Sequence, residues 1–320
     1  MILGLDVGGA NTKAASSDGK FTKIEYMPLW KEAPLKPLLQ RISVEAKPEA
    51  LGVVMTGELA DCFSDKKSGI LSIKGAVEAS FSCPVKFWGV DGFRWTDVGD
   101  LAAANWSASA SLVSEEIGDC VFVDMGSTTT DLIPIKKGPK AAKTDFERLA
   151  RGELIYSGLL RTNLAALLQD VEIGGRKIPL SSELFAITAD AHLVLGGISE
   201  VEYAVEAPDG GGKDRLSAER RLARTVCADP EEIGLGGVLE IARQARSRQE
   251  TLLKDGIQRL AKVHKIELVV AAGIGEVLIE EAARALNLEC VRLSDRYGPK
   301  VSNVFPAYAV ARLMEMELQG

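Results

Sequence analysis

Residues 2–15 read ILGLDVGGANTKAA and residues 121–135 read VFVDMGSTTTDLIPI. Aligned on Asp6 and Asp124, the two stretches share one pattern: an apolar run, an aspartate, any residue, a glycine, small polar residues, then a second apolar run. Apolar runs joined by a few Gly, Ser, Thr and Asn residues mark a β-hairpin with a tight turn. Small side chains leave the backbone N–H groups of such a turn open, and together they form a concave nest suited to phosphate oxygens. One copy alone would read as an ordinary hairpin. Two copies, one near the start of each half, imply a duplicated domain facing itself across a cleft.

Working outward, residues 268–288 (LVVAAGIGEVLIEEAARALNL) pass from a buried strand through a glycine turn into an amphipathic helix. The glycines allow close backbone approach, and the helix N-terminus offers donors and a positive dipole end. A plain strand-to-helix connection fits equally well, with Glu276 compensating the dipole. Strands are expected at 51–56 and 85–90. Helices are expected at 35–46, 99–113, 153–168, 182–190, 217–227, 237–263 and 302–318, the last covering the cleft base or returning to the first half. The stretch APDGGGKDRLS (207–217) reads as a polar loop.

The 320 residues suit about two domains. With 46% hydrophobic residues, each has material for a core, which rules out disorder as the dominant state. A net charge of −7 argues against nucleic acid as a partner, because such affinity rests on neutralising phosphates. Apolar stretches are broken by Asp6, Glu58, Asp124 and Glu276, so no membrane span or signal peptide is expected and the chain reads as cytoplasmic. Cys62, Cys83, Cys120, Cys227 and Cys290 form no C-x-x-C pair and read as free thiols. Serine-hydrolase, zincin and P-loop signatures are missing.

DVGGANTK (6–13), VDMGSTTTDLI (123–133) and AAGIGE (271–276) resemble the two phosphate motifs and the nucleoside motif of the actin/sugar kinase/heat-shock chaperone superfamily. Within it the chain is similar to the hydantoinase/oxoprolinase-like proteins. It is more similar still to a group labelled tetrahydromethanopterin-linked C1 transfer pathway proteins, through LAAANW (101–106), the run from Thr144 to Thr162, ITAD (187–190) and RLARTVCAD (221–229). The resemblance implies two ribonuclease-H-like α/β domains meeting at a central cleft, with 1–115 plus 301–320 as the first and 116–300 as the second. It also implies methanofuran biosynthesis, in which a furan-methanamine methyl diphosphate is joined to the phenol of γ-glutamyltyramine, expelling diphosphate and making an aryl ether.

The residues make that chemistry intelligible. Asp6 and Asp124 end the first strand of each hairpin, and their hard oxygens suit Mg²⁺, which commonly accompanies polyphosphate. Gly8, Gly9, Asn11, Thr12 and Lys13 would wrap one phosphate, with Lys13 charge-stabilising the leaving group; Gly126, Ser127, Thr128, Thr129 and Thr130 would wrap the other. A phenol, with an ordinary pKa of about 10, needs help losing its proton. Asp131, at the second hairpin's counterpart of Lys13, and Asp145 are the candidate bases, with hairpin capping the other reading of Asp131. Asp145, Arg148, Glu153 and Tyr156 are candidates for the polar ends of the substrates, against the blander reading of a solvated helix with Tyr156 half-buried. Gly273 and Gly275 would line the pocket beside the furan.

Weaker candidates carry their own bland readings. Arg220 and Arg224 suit a solvated basic face better than a carboxylate clamp. Thr188 and Asp190 stay open. His192 and His264 lack metal-ligand partners and read as core or surface residues, and the aromatics of 87–95 read as core more than as a substrate wall. The expected partners are the two small-molecule substrates, with homodimerisation left open. Mg²⁺ is the expected cofactor, and ATP is not required in this reading. An ATP-dependent small-molecule kinase or ATP-driven amidohydrolase is the alternative, followed by a nucleotide-responsive regulator without turnover.

Overall fold

The computed structural model describes residues 1–31 and 34–319. The strands are β1 (Ile2–Gly8), β2 (Asn11–Ser16), β3 (Thr22–Tyr26), β4 (Ala50–Thr56), β5 (Val85–Phe87), β6 (Cys120–Met125), β7 (Thr130–Ile135), β8 (Leu154–Ile155), β9 (Asp170–Ile173), β10 (Arg176–Pro179), β11 (Leu268–Gly273) and β12 (Glu289–Arg292). The helices are α1 (Leu35–Ala46), α2 (Lys66–Glu78), α3 (Asn105–Glu116), α4 (Asp145–Arg151), α5 (Leu164–Leu167), α6 (Thr188–Val194), α7 (Arg215–Arg224), α8 (Pro230–His264), α9 (Glu276–Ala285), α10 (Leu293–Tyr297), α11 (Pro299–Ser302) and α12 (Phe305–Gln319).

The first sheet has the order β3-β2-β1-β4-β5. β1 and β2 pair antiparallel, as do β2 and β3, whereas β4 joins β1 in parallel and β5 joins β4 in parallel. The second sheet has the order β12-β11-β6-β7-β8. Read from β8, it repeats the first: a meander of three consecutive strands, then two strands that arrive after helical crossovers. The repeat seen in the two hairpins thus extends to whole sheets, and the fold is an α/β pair of ribonuclease-H-like halves.

Contacts group the chain into two compact units: Met1–Phe122, Ile133–Glu153 and the chain from Val291 onward, then Val123–Leu132 with Leu154–Cys290. In the first, Leu3, Leu5 and Val7 of β1 bury one sheet face with Leu38, Leu39 and Ile42 of α1 and Ile70, Ile73 and Val77 of α2. The opposite face carries Gly4 and Gly52, where α12 crosses. A Cβ at Gly4 would lie 1.9 Å from the Ala307 carbonyl oxygen, and one at Gly52 would lie 2.7 Å from that of Val310. The C-terminal helix therefore returns to the first sheet through two positions that tolerate no side chain.

Expected elements differ in three places. Residues 153–168 do not form a helix: Leu154 and Ile155 pair with Asp131 and Thr130 as the third strand of the second meander, and only Leu164–Leu167 is helical. The reason is steric, since a Cβ at Gly158 would lie 2.4 Å from the Thr128 backbone nitrogen, and the segment must run extended against the second turn. The helix expected at 99–113 begins later, at Asn105, after a short 3-10 turn at Val98–Leu101. The helix expected at 182–190 begins at Thr188. A hairpin of β9 and β10, turning through Gly174 and Gly175 at φ 58° and 76°, was missed, although two glycines between β-type residues are a hairpin signal.

Candidate functional site

In the first unit the turn after β1 lies where expected. Asp6 pairs in register with Lys13, so the two side chains share one sheet face, while Thr12 sits opposite Val7 and shares the other. Strand alternation thus separates Thr12 from Asp6 and Lys13. Asp6 is buried, Lys13 is half-buried, and the Thr12 hydroxyl is buried without a hydrogen-bond partner among the described residues. The turn itself is fastened: the Gly9 and Ala10 carbonyls accept from the N–H groups of Leu29 and Met27. Beside it, β4 ends in Thr56 opposite Gly8, and a Cβ at Gly57 would lie 3.1 Å from the Gly8 carbonyl carbon.

That close approach brings in Glu58, which sequence reasoning noted only as a break in an apolar run. Its side chain is 1% exposed, and Oε2 has no hydrogen-bond partner among the described residues. Burial pushes its carboxyl above the usual carboxylate range, and the neighbouring Asp145 adds to the effect. The N–H groups of Glu58 itself and Ala103, together with Lys66, pull the other way. Helix α2 pins the Glu58 backbone, because a Cβ at Gly69 would lie 2.2 Å from the Glu58 carbonyl oxygen. Ala103 is a non-glycine residue at φ 47°, a conformation that costs about 1 kcal/mol.

The α4 candidates belong to this same unit. Asp145 forms an ion pair with Arg148 at 3.1 Å, and the buried Arg148 guanidinium lies over the Trp106 ring at 4.8 Å. The Glu153 carboxylate is buried and accepts the Ala142 N–H at 2.7 Å. Arg148 and Glu153 are therefore interior groups, not part of a solvated face. Tyr156, by contrast, is 69% exposed.

In the second unit Gly126–Thr129 forms the counterpart turn, closed by the Gly126 N–H donating to the Thr129 carbonyl at 3.0 Å. The segment after β8 straps it from one side. The Leu159 N–H donates to Gly126, the Leu160 and Arg161 N–H groups donate to Ser127, and the Thr130 hydroxyl donates to the Ser157 carbonyl at 2.7 Å. Gln249 of α8 braces the strap, donating to Ser157 Oγ at 3.1 Å and to the Gly158 carbonyl at 2.8 Å. His192 Nε2 in turn donates to Gln249 Oε1 at 2.8 Å. Burial depresses the His192 pKa and keeps the ring neutral, so it is a core histidine as expected. Gln249 was missed, and one polar residue in a helix rich in Arg, Gln and Glu offers no signal.

The glycine turn after β11 meets the second hairpin directly. A Cβ at Gly273 would lie 2.4 Å from Asp124 Oδ1, and the Gly275 N–H donates to the Met125 carbonyl at 3.2 Å. Three stretches far apart in sequence thus converge on Asp124 and its turn. Asp131 is buried on β7, where it pairs with Leu154. Thr188 donates its hydroxyl proton to the Gly158 carbonyl, and Asp190 is buried between Arg221 Nη2 at 2.8 Å and the Tyr203 hydroxyl at 3.0 Å. Arg220 is exposed, and Arg224 reaches Asp209 at 3.5 Å. The buried member of the group is Arg221, signalled by Ala218 and Leu222 on its side of α7.

Other candidates serve packing. Trp88 and Phe93 stack edge-on at 4.9 Å, and the Trp95 Nε1 donates to the Phe87 carbonyl. The five cysteines are free thiols. Among the described residues no helix is long and apolar enough to cross a membrane, and no group of three or more His, Cys, Asp or Glu side chains could hold a metal ion.

Residues 49–317 match the hydantoinase/oxoprolinase family. The chain belongs to that family. The chain is also 41% identical to a protein of Methanocaldococcus jannaschii, across 99% of this chain and 98% of that one. That protein is named (4-{4-[2-(gamma-L-glutamylamino)ethyl]phenoxymethyl}furan-2-yl)methanamine synthase. A protein of the same name from Methanococcus vannielii is 35% identical over 66% of this chain and 98% of its own length. Among solved structures, a ROK family glucokinase from Streptomyces griseus, in complex with glucose and AMPPNP, is similar over 100% of this chain and 99% of its own, with a TM-score of 0.49 and 13% identity.

Proposed function

We propose that this hydantoinase/oxoprolinase-family protein is an aryl-ether synthase that joins a furan-methanamine methyl diphosphate to the phenol of γ-glutamyltyramine and releases diphosphate. The observation that carries the reading is the 41% identity to a synthase of that name over nearly the full length of both chains. The two glycine-bearing turns, each beginning beside a strand-end aspartate, suit a substrate whose leaving group is a diphosphate.

In this reading the N–H groups around Gly8, Gly9 and Asn11, and those of Ser127, Thr128 and Thr129, receive phosphate oxygens, while the Gly126 N–H closes its turn on Thr129. Lys13, on the same face as Asp6, places a cation where charge grows on the departing diphosphate. Asp6 and Asp124 supply the hard oxygens that Mg²⁺ takes, and Mg²⁺, when bound, neutralises charge on the leaving group. Thr130 supports its hairpin through the Ser157 carbonyl. Gly273 keeps the wall beside Asp124 free of a side chain, so that bulk added there would displace the carboxylate, and Gly275 leaves room for the Met125 side chain. Tyr156 is exposed and available to a substrate, whereas Arg148 and Glu153 act from the interior by holding α4 and its Asp145 in place.

The test is direct. Purified protein is mixed with the furan diphosphate, γ-glutamyltyramine and Mg²⁺ in the absence of ATP, and the mixture is read by mass spectrometry. The coupled ether and diphosphate are expected in equal amounts. Strict dependence on ATP with formation of ADP would replace this reading with the kinase one.

A further inference from the structure

Strand β3 forms an edge of the first sheet, and its charged and apolar side chains lie on opposite faces. Lys23 and Glu25 point to the α1 side, where Lys23 pairs with Glu25 at 3.3 Å and with Glu45 of α1. Strand alternation turns Ile24 and Tyr26 to the other face. Both stay open there, Ile24 with 49% and Tyr26 with 42% of its surface exposed. Soluble proteins commonly blunt an edge strand with outward charge; here the charge is tied to α1 and the apolar groups are left uncovered.

The register sets these two residues beside the first turn. Asp6 stands opposite Lys13, and Lys13 opposite Ile24, so the three share one face. Tyr26 stands opposite Asn11, where β2 leaves the turn, and is the diagonal neighbour of Lys13. Diagonal neighbours on one face lie about 7–8 Å apart, within reach of an aromatic side chain. The chain just beyond Tyr26 is fastened to the turn itself, through the Met27 and Leu29 N–H groups that donate to Ala10 and Gly9.

We propose that Tyr26 is a substrate-binding residue that seats the furan ring of the diphosphate substrate, with Ile24 extending the apolar surface beside Lys13. The proposal rests on the synthase reading above and names the group that recognises the donor's ring. One methylene joins the furan to its diphosphate, so a diphosphate held at the first turn leaves its ring close by. Asp6 and Lys13 supply charge there, and Tyr26 supplies an accessible aromatic face at the level of the turn. A ring gains there from stacking or edge-on contact as well as from burial. The phenol of γ-glutamyltyramine carries no phosphate and has no such tie to the turn.

The experiment compares the furan diphosphate with inorganic diphosphate, which has the leaving group and no ring. Tyr26→Ala is expected to raise KM for the furan diphosphate roughly 5- to 10-fold, the loss of one ring contact. The inhibition constant of inorganic diphosphate is expected to change less than about 2-fold. Tyr26→Phe, which keeps the ring, is expected to stay within about 2-fold of native. Tyr26→Thr, well suited to a strand, stands in if Tyr26→Ala fails to fold by circular dichroism. An unchanged KM for the furan diphosphate would overturn the assignment. An equal rise in the diphosphate inhibition constant would also overturn it, because Tyr26 would then only shape the turn. A rise confined to KM for γ-glutamyltyramine would do the same by putting the phenol there. Light scattering tests a second copy of the chain as the occupant of this edge: a dimer lost in Tyr26→Ala with unchanged kinetics counts against the furan. If the native protein makes no ether, the synthase reading itself falls and this assignment with it. Ether formation by the native protein together with any contrary result removes Tyr26 alone.

Discussion

The first and second hairpin turns start from one pattern and are secured in different ways. The first is fastened by Met27 and Leu29 and abutted by the end of β4, with Lys13 beside its aspartate. The second is strapped by Ser157–Arg161, braced from α8 by Gln249, and walled by Gly273, with Asp131 in the sequence position that Lys13 takes in the first. Both turns thus keep a strand-end aspartate and a run of small residues, the two features that the proposed phosphate chemistry uses. The neighbours were free to diverge. The cation stayed with one turn, and the more elaborate support went to the other.

The strongest way to break this comparison is to remove the shared aspartates. Asp6→Asn and Asp124→Asn are each expected to lower single-turnover ether formation by roughly 10³-fold or more while circular dichroism stays native, because each removes a hard Mg²⁺ donor. Near-normal turnover in either variant would show that the two turns are not equivalent and that the metal is held elsewhere.

Next comes the cation that only one turn possesses. Lys13→Ala is expected to lower kcat roughly 10²-fold, with a smaller change in KM for γ-glutamyltyramine, since its charge acts on the leaving group. Steady-state kinetics with each substrate varied in turn decide this. A loss confined to KM for γ-glutamyltyramine would move Lys13 to the acceptor side.

The different supports can be compared through stability. Gly158→Ala drives a methyl group into the Ser127–Thr128 backbone, and a cost of about 3 kcal/mol is expected in urea unfolding. At Gly9 the nearest atom to an added Cβ is Gly57 Cα at 4.0 Å, so Gly9→Ala is expected to change stability by less than about 1 kcal/mol. Equal costs would mean that the two turns are equally tightly packed.

The smallest effect concerns pH. His192 lies beneath the strap of the second turn only, with its folded-state pKa depressed below the ordinary 6.5 by burial. Its contribution is therefore complete above pH 6.5 and is lost as pH falls below that value, because the unfolded chain then binds the extra proton. His192→Gln should flatten the pH dependence of the melting temperature below pH 6.5. An unchanged slope would show that other groups set the acid limit.

These contrasts also mark what the sequence makes legible. The hairpins could be read because period-two apolar runs and small-residue turns are local signals, and the repeated sheet order follows from their duplication. Strand β8 could not, because a two-residue strand has no period and Gly158 matters only through contact with Ser127 and Thr128. Arg221 was hidden between Arg220 and Arg224, although Ala218 and Leu222 mark its face as the buried one. Glu58 follows an apolar strand and a glycine, and only the structure shows that its carboxylate is enclosed. Side chains defined by burial are set by distant segments, and local pattern carries little of that information.

The central claim is that the phenol oxygen attacks carbon and diphosphate departs. Labelling the phenol oxygen of γ-glutamyltyramine with ¹⁸O and following turnover by mass spectrometry tests it most directly. The account predicts that the label is retained in the ether and that the released diphosphate is unlabelled. Appearance of the label in a phosphate product would contradict it, since the phenol would then have been phosphorylated instead of alkylated.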